Sequence, residues 1–221
     1  MCKRILVRRL ILHTDEPFRG NGGALRLAVT GAFPDYPVLH NHAENGCRYS
    51  APVVRFCVQD GVPQLVAVGD GVSLLESIRD RIITLRVFSQ VYRVTGWDMH
   101  DCLSSFGVSE HEVIYGFISP WLGLNEANYQ RYVRLGSYDK RKVLLETILV
   151  GNLISMSKGF QYSVPDRIYA RIVSIDEVET RLKGIPFLGF MGAFSANFQM
   201  PDYWGIGKSI SRGFGTIRKM V

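Results

Sequence analysis

The stretch PVVRFCVQDGVPQLVAV, residues 52–68, decides how the rest of the chain is read. Two short apolar runs, 52–59 and 63–68, flank Asp60-Gly61. An Asp-Gly pair between such runs predicts a β-hairpin, because the two-residue turn that suits twisted strands needs positive φ at both positions. On the N-terminal side, residues 20–33 carry Leu25, Val29 and Phe33 at four-residue spacing, the stripe of an amphipathic helix closed by Pro34. Before it, residues 3–13 (KRILVRRLILH) set Ile5, Val7 and Ile11 on one face at period two, with Arg4 and Arg8 on the other, as in a strand. On the C-terminal side, residues 71–81 read as a helix with Leu74, Leu75 and Ile78 inward, and 82–94 (IITLRVFSQVYRV) as a further strand. Residues 34–51 show no periodicity and read as a long loop. The resulting order, β-α-β-β-α-β, is the ferredoxin-like arrangement with helices on one face of an antiparallel sheet.

The second half starts over. Residues 112–119 read as a strand, 125–135 as a short helix, and 140–158 as the longest helix, with Val143, Ile148 and Leu149 inward and Gly159 as its stop. Residues 167–176, 179–182, 185–198 and 213–220 are strand-like. The fold class is therefore α+β, two tandem ferredoxin-like (RRM-like) domains of which the second is less regular. The boundary falls within residues 95–109, giving domains 1–108 and 109–221.

Composition narrows the function classes. The chain has 221 residues, 47% hydrophobic and 21% charged, which is ordinary for a folded protein and argues against disorder. The most apolar segment, 143–156, is interrupted by Glu146, Gly151 and Asn152 and falls short of the ~20 residues of a membrane span, so no membrane partner is expected. Four cysteines without a C-x-x-C pair, and Arg8 and Arg9 interrupting the N-terminal apolar run, make a reducing cytoplasm the default location. The net charge of +6 suits a polyanionic partner. It is unevenly placed: residues 207–221 hold Lys208, Arg212, Arg218 and Lys219 and no acid.

The segment GIGKSISRGFGTI, residues 205–217, is the most distinctive in the chain. Gly205, Gly207, Gly213 and Gly215 let the backbone come close to a ligand, while free N–H groups, Lys208, Ser209 and Arg212 offer donors to an anion such as phosphate. Asp202 stands where a Walker A loop needs its first Gly, and Ile210 where a dinucleotide fingerprint needs its third, so neither nucleotide motif is met. A glycine-rich turn before an edge strand is the plain structural reading. A second cluster lies in the unpatterned loop: His40 and His42, with Glu44, Arg48 and Tyr49 nearby. Histidine titrates near neutrality and can both take and give a proton. The alternatives are two surface imidazoles, or a zinc site of His40, His42 and Cys47, for which a fourth ligand at recognisable spacing is missing. No acidic cluster suggests a two-metal nuclease.

Together these segments resemble a known family. Residues 205–217, with 119–125 (SPWLGLN), 149–159 (LVGNLISMSKG), 39–42 (LHNH) and 49–52 (YSAP), are similar in kind and order to the signatures of the CRISPR repeat-processing endoribonucleases of the RAMP superfamily. The resemblance spans nearly the whole chain. It implies tandem ferredoxin-like folds and cleavage of the repeat RNA of a precursor CRISPR transcript into guide RNAs. Cleavage would be metal-independent and need no cofactor: the ribose 2′-OH attacks, leaving a 2′,3′-cyclic phosphate and a 5′-hydroxyl. With the resemblance, His40 and His42 become the leading acid–base pair and Tyr49 their neighbour at the phosphate. Gly205, Gly207, Lys208, Ser209, Arg212, Gly213 and Gly215 become RNA contacts, joined by Lys158 in the matching helix and by Arg4. Relatives that join interference complexes or dimerise extend the expected partners to complex subunits and a second copy. The rival reading is a non-catalytic RNA-binding RAMP subunit of an effector complex, which leaves the paired histidines without a role. His13, His100 and His111 receive none.

Overall fold

In the computed structural model of the chain, residues 2–40, 42–43, 46–47 and 53–220 are described, with side chains at 2–39 and 53–220. They form two compact units. One comprises Arg4–Ser104 with Ile210–Gly213, the other Ser105–Ser209 and the residues from Phe214 on, joined by Cys2 and Lys3.

The first unit runs through β1 (Lys3–Thr14), α1 (Gly22–Ala32), the one-turn α2 (Pro37–His40), the two-residue strands β2 (His42–Ala43) and β3 (Gly46–Cys47), the hairpin β4 (Val54–Gln59) and β5 (Val62–Val68), α3 (Asp70–Ile78), β6 (Thr84–Val87) and the first part of β7 (Gln90–Trp121). The order β4-β5-β1-β7 is that of a ferredoxin-like sheet. The Asp60-Gly61 turn forms as read: Gln59 pairs with Val62, and the two central residues have φ of 50° and 77°. Asn21 caps α1 by accepting the Ala24 N–H, and Leu25 and Val29 turn inward against Leu10, Leu12, Phe56, Leu65 and Leu75.

The structure corrects the first-half reading in several places. Along β1 the helix-facing residues are Leu10 and Leu12, fully buried on the same parity as Arg4 and Arg8, while Ile5 and Val7 are buried on the other face. Both faces of the strand are covered, so no face is simply polar. Residues 82–94 are not one strand but a hairpin, β6 and the start of β7 paired from Thr84↔Arg93 to Val87↔Gln90 across Phe88-Ser89. The loop read over 34–51 holds α2 and an antiparallel ribbon, His42↔Cys47 and Ala43↔Gly46. These elements are too short to leave a periodic signature.

The second unit continues β7 and adds α4 (Glu126–Arg134), α5 (Tyr138–Gly159), β8 (Ala170–Leu182), β9 (Ile185–Gln199) and β10 (Ile217–Lys219). Its strands stand in the order β10-β7-β9-β8, all antiparallel. This is the ferredoxin-like order again, with the segment between β9 and β10 in place of the second helix. The core is largely aromatic: Phe106, Tyr115, Phe117, Trp121, Phe190, Phe194 and Phe198 are all buried. Here too the reading is corrected. The strand at 112–119 is the end of the 32-residue β7, which passes through residues 95–109 without a linker. The strands read at 167–176 and 179–182 are one continuous strand, β8, which begins at Ala170; β10 is only three residues long, and Val143 lies on the exposed side of α5, 61% accessible. No helix among the described residues is long and apolar enough to cross a membrane.

Candidate nucleic-acid interface

The glycine-rich segment is a strap held by backbone hydrogen bonds. Gly205 bridges to Thr216, the Ile206 N–H donates to Gly215 O at 2.9 Å, and the Ile217 N–H donates to Trp204 O at 3.0 Å. The strap is fastened to the end of β7 by Gly215 N–H donating to Pro120 O (2.8 Å) and Lys208 N–H donating to Leu122 O (3.1 Å). Glycine is required at two of these points. At Gly215, φ is 60° and a Cβ would lie 1.9 Å from Ile206 O; at Gly207, φ is 93° and a Cβ would meet Trp121 Nε1 at 2.6 Å.

Trp121 is the floor beneath Gly207. It is fully buried, stacks on Phe117 with centroids 5.5 Å apart and planes 3° from parallel, and its indole N–H donates to Asn152 Oδ1 of α5 at 3.0 Å. Three of the motifs singled out in sequence, 119–125, 149–159 and 205–217, are thus one construction: strand end, helix and strap joined through Trp121 and Asn152. The sequence reading named neither residue as part of the site, although both lie inside the quoted motifs. A polar Asn in the middle of an apolar helix was the signal.

Along this construction Lys208 is exposed, and its ammonium has no ion-pair partner among the described residues. Ser209 follows with φ of 56°, where the chain crosses to the other unit. Lys158 is exposed in the last turn of α5.

The residues after Ser209 belong to the first unit. Ile210–Arg212 form a 3₁₀ turn against α1 and β4, closed by Gly213 N–H donating to Ile210 O at 3.1 Å. Arg55, the second residue of β4 and fully buried, directs its Nε–H at Ile210 O, 3.4 Å away. Burial lowers the Arg55 pKa to about 10, so it remains a cation at neutral pH. Sequence reasoning passed over Arg55; a lone arginine inside an apolar strand was its only mark. Arg212 is half-buried in the same turn. Arg4, on β1, donates to Leu103 O at 3.1 Å and stays exposed, whereas Arg8 is occupied by both oxygens of Asp101 and by Glu76.

For the histidine loop, the backbone of His40 closes α2 and that of His42 opens β2, and their side chains lie outside the described residues. Tyr49 lies outside them altogether. Among the remaining histidines, His13 pairs through Nε2 with Asp98 Oδ2 at 2.8 Å in an exposed contact.

The fold is shared with known proteins. Residues 3–102 match the family model of the Cas6b N-terminal domain and residues 107–220 that of the Cas6b C-terminal domain. A solved structure described as Cas6b superposes with a TM-score of 0.88 at 28% identity, covering 99% of this chain and 100% of that one. A second, described as the CRISPR RNA processing endoribonuclease Cas6b, gives 0.77 at 28% identity over 98% and 100% of the two chains. Csf5, a type IV Cas6 crRNA endonuclease, shares the fold with a TM-score of 0.59 at 14% identity, over 99% of this chain and 100% of its own. In sequence, the uncharacterized protein MJ0978 of Methanocaldococcus jannaschii is 43% identical over 133 residues, 60% of this chain and 90% of its own length. With family models covering both halves in order, the chain belongs to the Cas6b family, whose solved members include a CRISPR RNA processing endoribonuclease.

Proposed function

We propose that this protein is a CRISPR-associated endoribonuclease that cleaves repeat RNA within the precursor CRISPR transcript. The observation that carries the reading is the strap of residues 205–217, locked to β7 and α5 through Trp121 and Asn152 and presenting Lys208 without an ion partner among the described residues, in a chain that matches both Cas6b domains. An exposed ammonium presented on a rigid support suits a phosphodiester backbone.

The chemistry is metal-independent transesterification. One histidine of the His40–His42 pair takes the proton of the ribose 2′-OH as the 2′ oxygen bonds to phosphorus. The P–O5′ bond breaks, and the other histidine protonates the departing 5′ oxygen, leaving a 2′,3′-cyclic phosphate and a 5′-hydroxyl. Tyr49 assists at the phosphate. Lys208, Ser209, Arg212 and Lys158 hold the backbone with the strap glycines, and Arg4 extends the contact. RNA is required because the substrate supplies the nucleophile.

The test is incubation of the purified protein with its cognate repeat RNA in EDTA. Cleavage, with a cyclic phosphate on the upstream product and no cleavage when the scissile nucleotide lacks its 2′-OH, supports the reading. RNA bound tightly but left intact in EDTA overturns it and favours a non-catalytic RNA-binding subunit.

A further inference from the structure

The turn between β6 and β7 carries a feature that the repeat-cleaving site does not use. Phe88 is 100% exposed and has a φ of 52°. Ser89, the other loop residue, is not in the positive-φ region, so the hairpin follows the type II′ pattern, whose first central position favours glycine. A phenylalanine there is strained and wholly in water.

Its surroundings are basic. In the β6–β7 ribbon, Leu85 and Tyr92 face the core, 0% and 3% exposed. Arg86 and Arg93, with Val91 opposite Arg86, therefore share the outward face. Val91 is 53% exposed, both arginines are exposed, and neither guanidinium has an ion-pair partner among the described residues. The acid nearest along the ribbon is Asp15, whose carboxylate accepts the Arg93 backbone N–H at 2.9 Å, at the end away from Phe88.

We infer that the Phe88 tip with Arg86 and Arg93 is a second RNA-binding site, taking an unpaired stretch of RNA by stacking a base on the phenyl ring and pairing the flanking phosphates with the two guanidiniums. A polyanion with flat aromatic faces is complementary to both halves of this surface, because every base offers a π face and every linkage a charge. An apolar pocket on a protein partner would accept the ring but leave the cations unanswered. The inference rests on the reading that this chain acts on RNA.

The experiment is fluorescence anisotropy of the full chain with labelled oligouridylate, which forms no hairpin, at several salt concentrations, beside thermal denaturation. Phe88→Ala is expected to weaken binding about tenfold or more, the loss of one stacked base, and Phe88→Trp to retain it. Arg86→Ala and Arg93→Ala should each lower the log–log salt slope by about 0.7, the single-strand value. Phe88→Gly should raise the thermal midpoint by relieving the backbone while weakening RNA binding as Ala does. Binding by Phe88→Ala and Phe88→Gly within twofold of wild type overturns the inference and favours a protein-contact role for the tip. Wild-type protein that binds no RNA, neither this probe nor repeat RNA, overturns the underlying reading instead.

Discussion

Single residues divide between chemistry and grip. Replacing His42 by Ala, or failing that His40, is expected to abolish repeat cleavage with little loss of RNA affinity, since an imidazole that moves protons contributes to the transition state and not to the phosphate backbone. Gel-resolved cleavage and filter binding of the same preparations check this, and near wild-type cleavage by the double alanine variant rejects the assignment. Lys208→Ala and Arg212→Ala should do the reverse, weakening repeat-RNA binding and lowering the salt slope by about one each. Unchanged slopes in both would remove the strap from the RNA path. Arg8 illustrates why a charge in sequence is not yet a ligand contact: it is held by Asp101 and Glu76 within its own unit. The hydrogen bond from Arg8, followed by its charge, keeps the Asp101 carboxyl below the usual carboxylate range. The pair therefore stabilises the fold above the unfolded-state pKa near 4 and is lost as pH falls through the depressed folded value. Thermal midpoints of wild type and Asp101→Asn should differ at neutral pH and converge in acid; a difference independent of pH would contradict this.

At the scale of elements, the decisive substitution is a strap where a second helix would close the ferredoxin-like unit. Its shape depends on glycines that two substitutions can distinguish. Gly215→Ala would drive a methyl into Ile206 O at positive φ and should lower the thermal midpoint and weaken RNA binding together. Gly151, exposed inside α5 with nothing within 4 Å of a Cβ, should tolerate alanine and gain about 0.5–1 kcal/mol from the better helix former. Differential scanning calorimetry of the two variants gives opposite signs if the strap is as rigid as its hydrogen bonds imply. Asn152→Ala should behave like a mild form of Gly215→Ala, because it leaves the buried Trp121 N–H without its acceptor, a cost of about 1–3 kcal/mol. The elements that sequence reading placed well, α1, α3, α4, α5 and the β4–β5 hairpin, are those whose caps, spacing or turn residues act within a few positions. It lost the β6–β7 hairpin because Phe88-Ser89 carries no turn chemistry, and it lost the continuity of β7 because a strand whose faces change partners along 32 residues has no constant period.

Over the whole molecule, chain order and spatial order part company at the N-terminal Cys2 and Lys3, which join the later unit, and again near the C-terminus. Ile210–Gly213 leaves the C-terminal half and completes the N-terminal unit beside α1, β4 and Arg55. A fragment ending at residue 104 would therefore expose a buried guanidinium and the strand that carries it. Its thermal midpoint should fall well below that of the first transition of the full chain, and adding the C-terminal half in trans should raise it; a fragment as stable alone would show the turn to be dispensable. Two α+β halves, the hairpin at Asp60-Gly61, the cappable helices, the glycine-rich segment and the family are legible residue by residue, since each is written in local spacing or in composition. That Trp121 and Asn152 support the strap, that Arg55 lies under its far turn, that Arg8 is already paired and that Phe88 is fully exposed become visible in the folded chain. Those facts depend on which residues distant in the chain become neighbours, and neither periodicity nor propensity carries that information.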